Sequence, residues 1–253
     1  MRPDRVYLAS AAVGIGLLLV FVFQGYYARA MPLFVNIATP VVVGGATLAA
    51  FAAVRRYGLS SKEDFARAWQ LFLAGTASWF LAEVTWSTYA LVLGVPLPYP
   101  SLADPFYIAG YALFAAGWVK YVKVFSGTLK RNAKLAAVGL VALAAVLVSF
   151  MLTSLVFSPS QGIVVKALDV LYPMLDLVVF GGAMLGLAMF RGGRLGTSWL
   201  LINMAVVFSV VADLVFSYMV AQGTYAYGTV SDLIFLWGYL LLATAFRVHT
   251  REL

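Results

Sequence analysis

Long apolar runs recur along the whole chain and constrain its fold more than any other feature. Each run reaches roughly 20 residues, the length at which an α-helix crosses a hydrocarbon core of about 30 Å. With 63% hydrophobic and 11% charged residues, the chain differs from soluble domains, in which about a quarter of the residues are charged. Only helices and closed barrels span a bilayer, and barrel strands are about ten residues of alternating polarity. The runs therefore predict an all-α, polytopic membrane bundle.

Eight spans can be placed along the chain, at roughly 6–26, 33–54, 69–94, 102–124, 134–157, 163–190, 197–221 and 230–248. Every predicted connection is short except 55–68, which we expect to form a small amphipathic turn on the membrane surface. The first run follows Arg2 and Arg5 but has no clear small-x-small cleavage site, so we predict a retained helix instead of a signal peptide. Residues 1–253 are expected to form a single integral membrane domain.

Basic residues fall almost entirely on one side of this predicted topology. Of the 17 Lys and Arg residues, only Arg29 and Lys166 are assigned to the side opposite the termini. Because cytoplasmic loops carry the excess of Lys and Arg, we predict a cell-membrane protein with both termini in the cytoplasm. The net charge of +7 then follows from topology and from contact with anionic headgroups. Membrane lipids are expected partners, and nucleic acid is not.

Acidic residues show the opposite distribution. Six of the ten lie within the predicted spans or at their outer ends, namely Glu83, Asp104, Asp169, Asp176, Asp213 and Asp232. An ionisable group inside a bilayer costs at least a few kcal/mol and usually faces a bundle interior or a water-filled cavity. These carboxyl groups therefore indicate an acidic pocket in the outer half of the bundle.

Two halves of the chain resemble each other. The segment 99–111 aligns without a gap on 227–239 at an offset of 128, and Tyr, Ser/Thr, Asp, Gly and Tyr recur in register. At an offset of 130, three more residues have counterparts: Trp69 with Trp199, Glu83 with Asp213, and Ser87 with Ser217. We predict two four-helix repeats, about 1–128 and 129–253. An even number of spans per repeat gives both the same orientation, related by a pseudo-twofold axis along the membrane normal.

The repeat separates two kinds of acid. Ser101 with Asp104, and Thr229 with Asp232, have the spacing of a capping box, in which the hydroxyl accepts the N3 amide and the carboxylate reaches back. We interpret Asp104 and Asp232 chiefly as helix starts. The other pair lies well inside its spans, where no cap is needed. Glu83 and Asp213 are therefore the favoured functional residues, and Ser87 and Ser217 follow them at i+4 on the same helix faces.

The sixth span carries further polar residues on one helix face. Lys166, Asp169, Pro173 and Asp176 are spaced i, i+3, i+7 and i+10, and Tyr172 flanks them. We predict an ion pair between Lys166 and Asp169 near the outer surface. Asp176 has no partner nearby in sequence and is expected to face across the bundle, toward Asp213.

Several chemistries lack the residues that they require. The chain has no cysteine, which excludes disulfides and thiolate metal sites. The one histidine, His249, is assigned to the C-terminal tail, so bis-histidine haem, histidine-based zinc sites and Ser-His-Asp catalysis are not expected. No cofactor or metal is predicted.

Two stretches resemble a known class of sensory region. "PSLADPFYIAGYALFAAG" (100–117) and "LYPMLDLVVFGGAML" (171–185) resemble parts of the multi-span N-terminal membrane regions of bacterial diguanylate cyclases, phosphodiesterases and sensor kinases. The resemblance implies a membrane sensor or ligand-binding module. No output domain follows the spans in this sequence, so signalling would require a separate partner protein.

A second resemblance is to lysoplasmalogenase-type membrane proteins, which also have about eight spans. "FLAEVTW" (80–86) and "SVVADLVFSY" (209–218) are similar to the acid-bearing stretches of that family. The resemblance implies that Glu83 and Asp213 are the acid/base pair of an ether-lipid hydrolase. The residues before the acids, Ala82 and Ala212, depart from the glycine-acid and serine-acid dipeptides of the family.

The sequence thus leaves three classes of function open. Parallel duplication also occurs in transporters, which would make the acids cation or proton sites. We rank sensing above catalysis and transport, and expect a small ligand, lipid or cation in the acidic pocket. The expected binding residues are Glu83, Asp213, Asp176, Asp169, Lys166, Ser87, Ser217 and Tyr172.

Overall fold

The computed structural model describes residues 3–95, 99–156, 162–190 and 195–252. This part of the chain is 87% helical and contains no strand, which confirms the predicted all-α class. Its eight α-helices are α1 (Pro3–Val22), α2 (Met31–Tyr57), α3 (Asp64–Leu91), α4 (Asp104–Phe125), α5 (Arg131–Val156), α6 (Ile163–Phe190), α7 (Gly196–Ala221) and α8 (Val230–Glu252). Arg2, Arg191 and Arg194, which contribute to the predicted charge asymmetry, lie outside the described residues.

Six of these helices are long and apolar enough to cross a membrane: α1, α2, α4, α5, α7 and α8. This finding supports a multi-pass membrane protein. The other two helices, α3 and α6, have 28 residues each and carry three of the buried acids, Glu83, Asp169 and Asp176. At about 1.5 Å per residue, either helix is also long enough to span a bilayer.

The connection between α2 and α3 is shorter than the sequence predicted. α2 continues to Tyr57 and stops at Gly58, whose φ of 109° is in the region that favours glycine. The predicted turn over 55–68 therefore shrinks to the short connection 58–63. The side-chain amide of Gln70 holds this connection by donating to the carbonyl groups of Gly58, Leu59 and Ser61 at 3.0–3.1 Å.

The C-terminal end of α8 contradicts the prediction that His249 lies in a tail. α8 runs on to Glu252, and the side chain of His249 is fully buried. Its Nδ1 lies 2.9 Å from the hydroxyl of Tyr57, and its ring centroid lies 4.4 Å from that of Trp69. The apolar pattern hid this placement because the last two turns of α8 contain Arg247 and Arg251, which resemble a charged tail.

Six helices form a closed ring in the order α2, α3, α4, α6, α7 and α8, and α8 packs back against α2. The other two lie outside the ring. α1 packs against α8, while α5 packs mainly against α6. The outer faces of α1 and α5 expose large apolar side chains, among them Leu8 and Phe150. Such faces suit contact with lipid tails.

Aromatic side chains fill one end of the ring of six helices. We call this group the aromatic layer and define it as Trp69, Phe72, Trp118, Tyr121, Trp199, Phe246 and His249, all of them buried. Neighbouring rings lie close together, with centroids 4.9 Å apart for Trp118 and Trp199 and 4.8 Å apart for Tyr121 and Trp199. The layer lies near the starts of α3 and α7 and the ends of α4 and α8. We call this the basic end, because Arg55, Arg56, Lys120 and Lys123 also lie there.

Glycines let α6 approach the aromatic layer. A Cβ atom on Gly182 would overlap the indole of Trp118, and one on Gly186 would overlap that of Trp199. Close approach of helix backbones at small residues is the usual way in which helices pack in membranes. Gly182 and Gly186 are therefore two positions of α6 at which only a glycine permits the observed contact.

Candidate functional site

A cavity of about 130 Å³ lies inside the ring at the end opposite the aromatic layer. We call that end the acidic end; α2, α4, α6 and α8 begin there. All six ring helices contribute to the cavity wall. Five carboxyl groups line it, those of Glu83, Asp104, Asp176, Asp213 and Asp232, and no Lys or Arg is found among its described lining residues. The predicted acidic pocket is therefore present as a geometric feature.

Asp176 and Asp213 lie together, as the sequence analysis expected. The hydroxyl of Tyr111 in α4 bridges them, at 2.7 Å from Oδ1 of Asp176 and 3.1 Å from Oδ2 of Asp213. The two carboxyl groups are also close enough to interact directly. The second oxygen of Asp176 is buried and has no hydrogen-bond partner among the described residues. A buried acceptor left in this state is costly, so the position favours a donor: a proton shared with the neighbouring carboxyl of Asp213, or a group that is not part of the chain.

Glu83 has an equivalent arrangement on the other side of the cavity. The hydroxyl of Tyr239 in α8 donates to Oε1 of Glu83 at 2.9 Å, and Tyr107 in α4 also interacts with this carboxyl. Tyr239 aligns with Tyr111 at the offset of 128, just as Glu83 aligns with Asp213 at the offset of 130. Each tyrosine therefore reaches the acid that belongs to the other half of the chain.

Asp104 both starts a helix and lines the cavity. Its carboxylate accepts the backbone N–H of Ser101 at 2.6 Å, so the predicted reach-back is confirmed. The hydroxyl of Ser101 accepts the backbone N–H of Ala103 at 3.1 Å, one residue short of the expected capping-box bond. The other carboxylate oxygen accepts the hydroxyl of Tyr172 at 2.5 Å, which links the start of α4 to α6. The interpretation of Asp104 as chiefly a cap was incomplete.

Asp232 has the same two roles as Asp104: it holds the start of a helix, here α8, and it lines the cavity. Its carboxylate accepts the backbone N–H of Gly228 at 2.7 Å and the hydroxyl of Tyr225 at 3.0 Å. The hydroxyl of Thr229 pairs with that of Ser231 at 3.0 Å and does not make the predicted bond to a helix amide. Asp232 lines the cavity as well.

The predicted ion pair between Lys166 and Asp169 is not formed. Among the described residues the ion pairs join Asp64 to Lys120 and Lys123, at the basic end. Asp169 turns into the bundle and accepts the hydroxyl of Tyr99 at 2.8 Å, whereas Lys166 is half-exposed near the start of α6. Residues at i and i+3 lie on roughly the same helix face. Here Asp169 is buried while Lys166 is half-exposed, so the two side chains do not meet. Neither residue lines the cavity, unlike Ser87, Ser217 and Tyr172.

Tyr111 and Tyr239 were not among the site residues predicted from the sequence. Tyr111 and Tyr239 follow Asp104 and Asp232 by seven residues, which is two helical turns and places them on the same face. The seven-residue spacing could have indicated that each tyrosine points to the same side of its helix as the acid. Tyr107 is at i+3 from Asp104 and completes the same face of α4.

The carboxyl groups do not converge on one point. Within the part of the chain that the structure describes, no group of three or more His, Cys, Asp or Glu side chains is placed to hold a metal ion. Four tyrosine hydroxyls instead contact the five acids of the cavity, and Asp176 and Asp213 share the hydroxyl of Tyr111. The site is thus a ring of carboxyl–tyrosine pairs around a small space.

Comparison with known proteins gives no further guide to this site. No family model, no curated protein and no solved structure matches the chain.

Proposed function

We propose that this protein is a multi-pass membrane sensor that binds a small ligand in the acidic cavity. One observation carries the proposal: helices from both halves of the chain place five carboxyl groups around a single small cavity. Burial of so many ionisable groups is costly, and such groups inside a membrane bundle are a reason to expect a function. A site built from all six ring helices also couples ligand binding to the packing of the whole ring.

The aromatic layer favours sensing over transport. It fills the ring between the cavity and the basic end with buried side chains, including Trp69, Trp199 and His249. A carrier would have to open this layer in every cycle, whereas a sensor needs only small shifts of the helices around it. The resemblance to sensory membrane regions agrees with this choice. A separate partner protein at the basic end would receive the signal.

We also propose the duplication and the orientation that the sequence predicted. The ring contacts between α2 and α8 correspond to those between α6 and α4 if the two halves are equivalent. Tyr111 of the first half contacts Asp213 of the second half, and Tyr239 of the second half contacts Glu83 of the first half, as expected for two equivalent halves. In this arrangement eight helices cross the cell membrane, both termini are cytoplasmic, and the acidic end faces outward.

A thermal-stability screen of the purified protein in detergent tests the proposal. A library of small metabolites should contain a ligand that raises the melting temperature, because a ligand that binds only the folded state stabilises it. The shift should disappear in Glu83→Gln, which keeps the shape of the side chain. Glu63→Gln is the matched control, since Glu63 is exposed at the basic end. A ligand that stabilises Glu83→Gln fully would place its binding outside this cavity.

A hydrolase is the second candidate, and the pair of Asp176 and Asp213 favours it. Two carboxyl groups in different surroundings can act as acid and base, and Tyr111 bridges this pair. The acid/base pair would then be Asp176 with Asp213 and not Glu83 with Asp213, because each of the latter two is bonded to a different tyrosine. Purified protein should hydrolyse lysolipids in detergent, and Asp213→Asn should abolish turnover. Absence of turnover with the wild-type protein would exclude this candidate for the lipids tested.

A further inference from the structure

The walls of the acidic cavity also limit the chemistry of its occupant. Building on the proposed function, we propose that the ligand is a small organic cation, an ammonium group on a compact apolar body. The three arguments for it concern charge, aromatic surface and size.

Charge is the first argument. Five carboxyl groups and no basic side chain line the cavity among the described residues, so an occupant with positive charge would offset the acids. Asp176 is only 2% exposed, and one of its two oxygens has no hydrogen-bond partner in the described structure. An ammonium group beside this oxygen would supply the missing interaction, and a charge-assisted contact of this kind is stronger than a neutral one.

The placement of the carboxyl groups argues against an inorganic ion. Divalent calcium takes six to eight oxygen ligands at about 2.3–2.6 Å, which requires the acids to converge. Here the described acids form no such group, and tyrosine hydroxyls already occupy oxygens of Glu83, Asp104 and Asp213. The negative charge is therefore spread over the cavity wall. This distribution suits an organic cation, whose positive charge is spread over several atoms.

Aromatic rings supply the second argument. The cavity is lined by the indoles of Trp79 and Trp86 and by the rings of Tyr111 and Phe216. Trp79 packs edge-on to Tyr111 with centroids 5.4 Å apart and stacks on Phe114 at 4.5 Å, which covers one of its faces. Trp86 packs edge-on to Phe216 at 6.0 Å. Aromatic faces attract cations electrostatically, and cages of such rings recognise quaternary ammonium groups.

Size is the third argument. The cavity of about 130 Å³ is close to a cavity of about 150 Å³ that accommodates benzene. A drug-sized ligand needs about 300 Å³ or more. The occupant is therefore of the size of choline or a short alkylamine, and a complete lipid does not fit.

Binding of choline, compared with that of its neutral isostere 3,3-dimethylbutan-1-ol, tests the proposal. The two molecules have nearly the same shape, and only choline is charged. Thermal unfolding of the full chain in detergent is followed with each compound, with butylamine and with calcium chloride, at constant ionic strength. We expect choline or butylamine to raise the melting temperature in a saturable manner. The isostere and calcium should raise it at least tenfold less effectively.

Two variants locate the site. Asp176→Asn should raise the Kd of the bound ammonium at least tenfold, because it removes a charge from the cavity wall. Asp169→Asn is the matched control: it removes a buried acid of the same helix that also has an unpartnered oxygen but does not line the cavity. If Asp176→Asn does not fold, Trp86→Leu provides the test, since it removes an aromatic face and should weaken binding several-fold.

The outcomes separate the two proposals. Equal stabilisation by choline and the isostere, or stabilisation by calcium alone, would overturn the organic cation and leave a ligand-binding cavity in place. An ammonium ligand that binds Asp176→Asn and Asp169→Asn alike would overturn the assignment to this cavity. A protein that none of these compounds stabilises, and that the metabolite library does not stabilise either, would overturn both proposals.

Discussion

At the residue scale, tyrosine hydroxyls determine how the buried acids are held. Tyr239 donates to Glu83, while Tyr111 donates to Asp176 and lies within bonding distance of Asp213. A buried carboxyl without partners loses the hydration that it would have in water. The hydroxyls replace part of that hydration and fix the direction of each carboxyl toward the cavity.

Removal of one hydroxyl should therefore have a measurable cost. Tyr239→Phe leaves Oε1 of Glu83 without its donor, and an unpaired buried group of this kind costs about 1–3 kcal/mol. Tyr26→Phe is the control, because Tyr26 is 89% exposed. The measurement is the free energy of unfolding in detergent for each variant. A loss no larger than that of the control would show that the bond between Tyr239 and Glu83 does not stabilise the bundle.

The sequence predicted some of these residue contacts and not others. Asp176 was expected to face Asp213 because Asp176 has no partner nearby in sequence. Lys166 and Asp169 were expected to pair because they are three residues apart, but that spacing does not say which of them faces the bundle interior. The bonds of Tyr111 and Tyr239 were missed because their acids lie on other helices. The seven-residue spacing indicates the helix face on which each tyrosine lies, but which acid it meets depends on the packing of helices.

At the element scale, the ring depends on close contacts that only small residues permit. Gly182 of α6 lies against the indole of Trp118, while its neighbour Gly181 has only Val141 within reach of a Cβ atom, at 3.6 Å. Trp118 belongs to α4, so Gly182 sets the distance between the two helices that join the halves of the ring. The number of helices and their approximate extents were predictable from apolar runs. The order of helices around the ring was not, because lipid tails are as apolar as leucine and packing detail decides the neighbours.

Alanine at these two adjacent glycines should have opposite effects. Gly182→Ala forces the indole of Trp118 to move, and overpacking of this kind typically costs about 1–3 kcal/mol. In Gly181→Ala the added Cβ atom makes only an ordinary van der Waals contact with Val141. This variant should be neutral or stabilising, since alanine is favoured over glycine in a helix by about 0.5–1 kcal/mol. The free energy of unfolding of the two variants gives the comparison. Equal effects would contradict the close contact between α4 and α6.

At the scale of the whole molecule, charge and chemistry divide the bundle into two ends. The basic end contains the aromatic layer, and the acidic end contains the cavity with its five carboxyl groups. This division agrees with the predicted orientation, because positively charged loops remain in the cytoplasm. The sequence indicated both the asymmetry and the pocket. It could not show that the seven residues of the aromatic layer, three of them Trp and one His, close the other end, since that closure is made by residues far apart in the chain.

Labelling of single cysteines tests the orientation. The chain has no cysteine, so each introduced thiol is the only one present. Gln222→Cys lies in an exposed position after α7 at the acidic end, and Ser60→Cys lies in the exposed connection before α3 at the basic end. In intact cells a membrane-impermeant maleimide should label Gln222→Cys and reach Ser60→Cys only after permeabilisation. The reverse pattern would place the acidic end in the cytoplasm.

Helices from both halves of the chain line one acidic cavity, and we propose that water enters it from the acidic end. Ser87 and Ser217 lie in its wall from α3 and α7, while Thr88 is exposed on the outer face of α3, which lipid or detergent would cover in a membrane-spanning helix. The most direct test is the rate at which a cationic and an anionic methanethiosulfonate modify Ser87→Cys, Ser217→Cys and Thr88→Cys. We predict modification at 87 and at 217, at least tenfold faster with the cationic reagent, and little reaction at 88. Protection of position 87 or 217, or equal rates with both reagents, would contradict the shared acidic cavity.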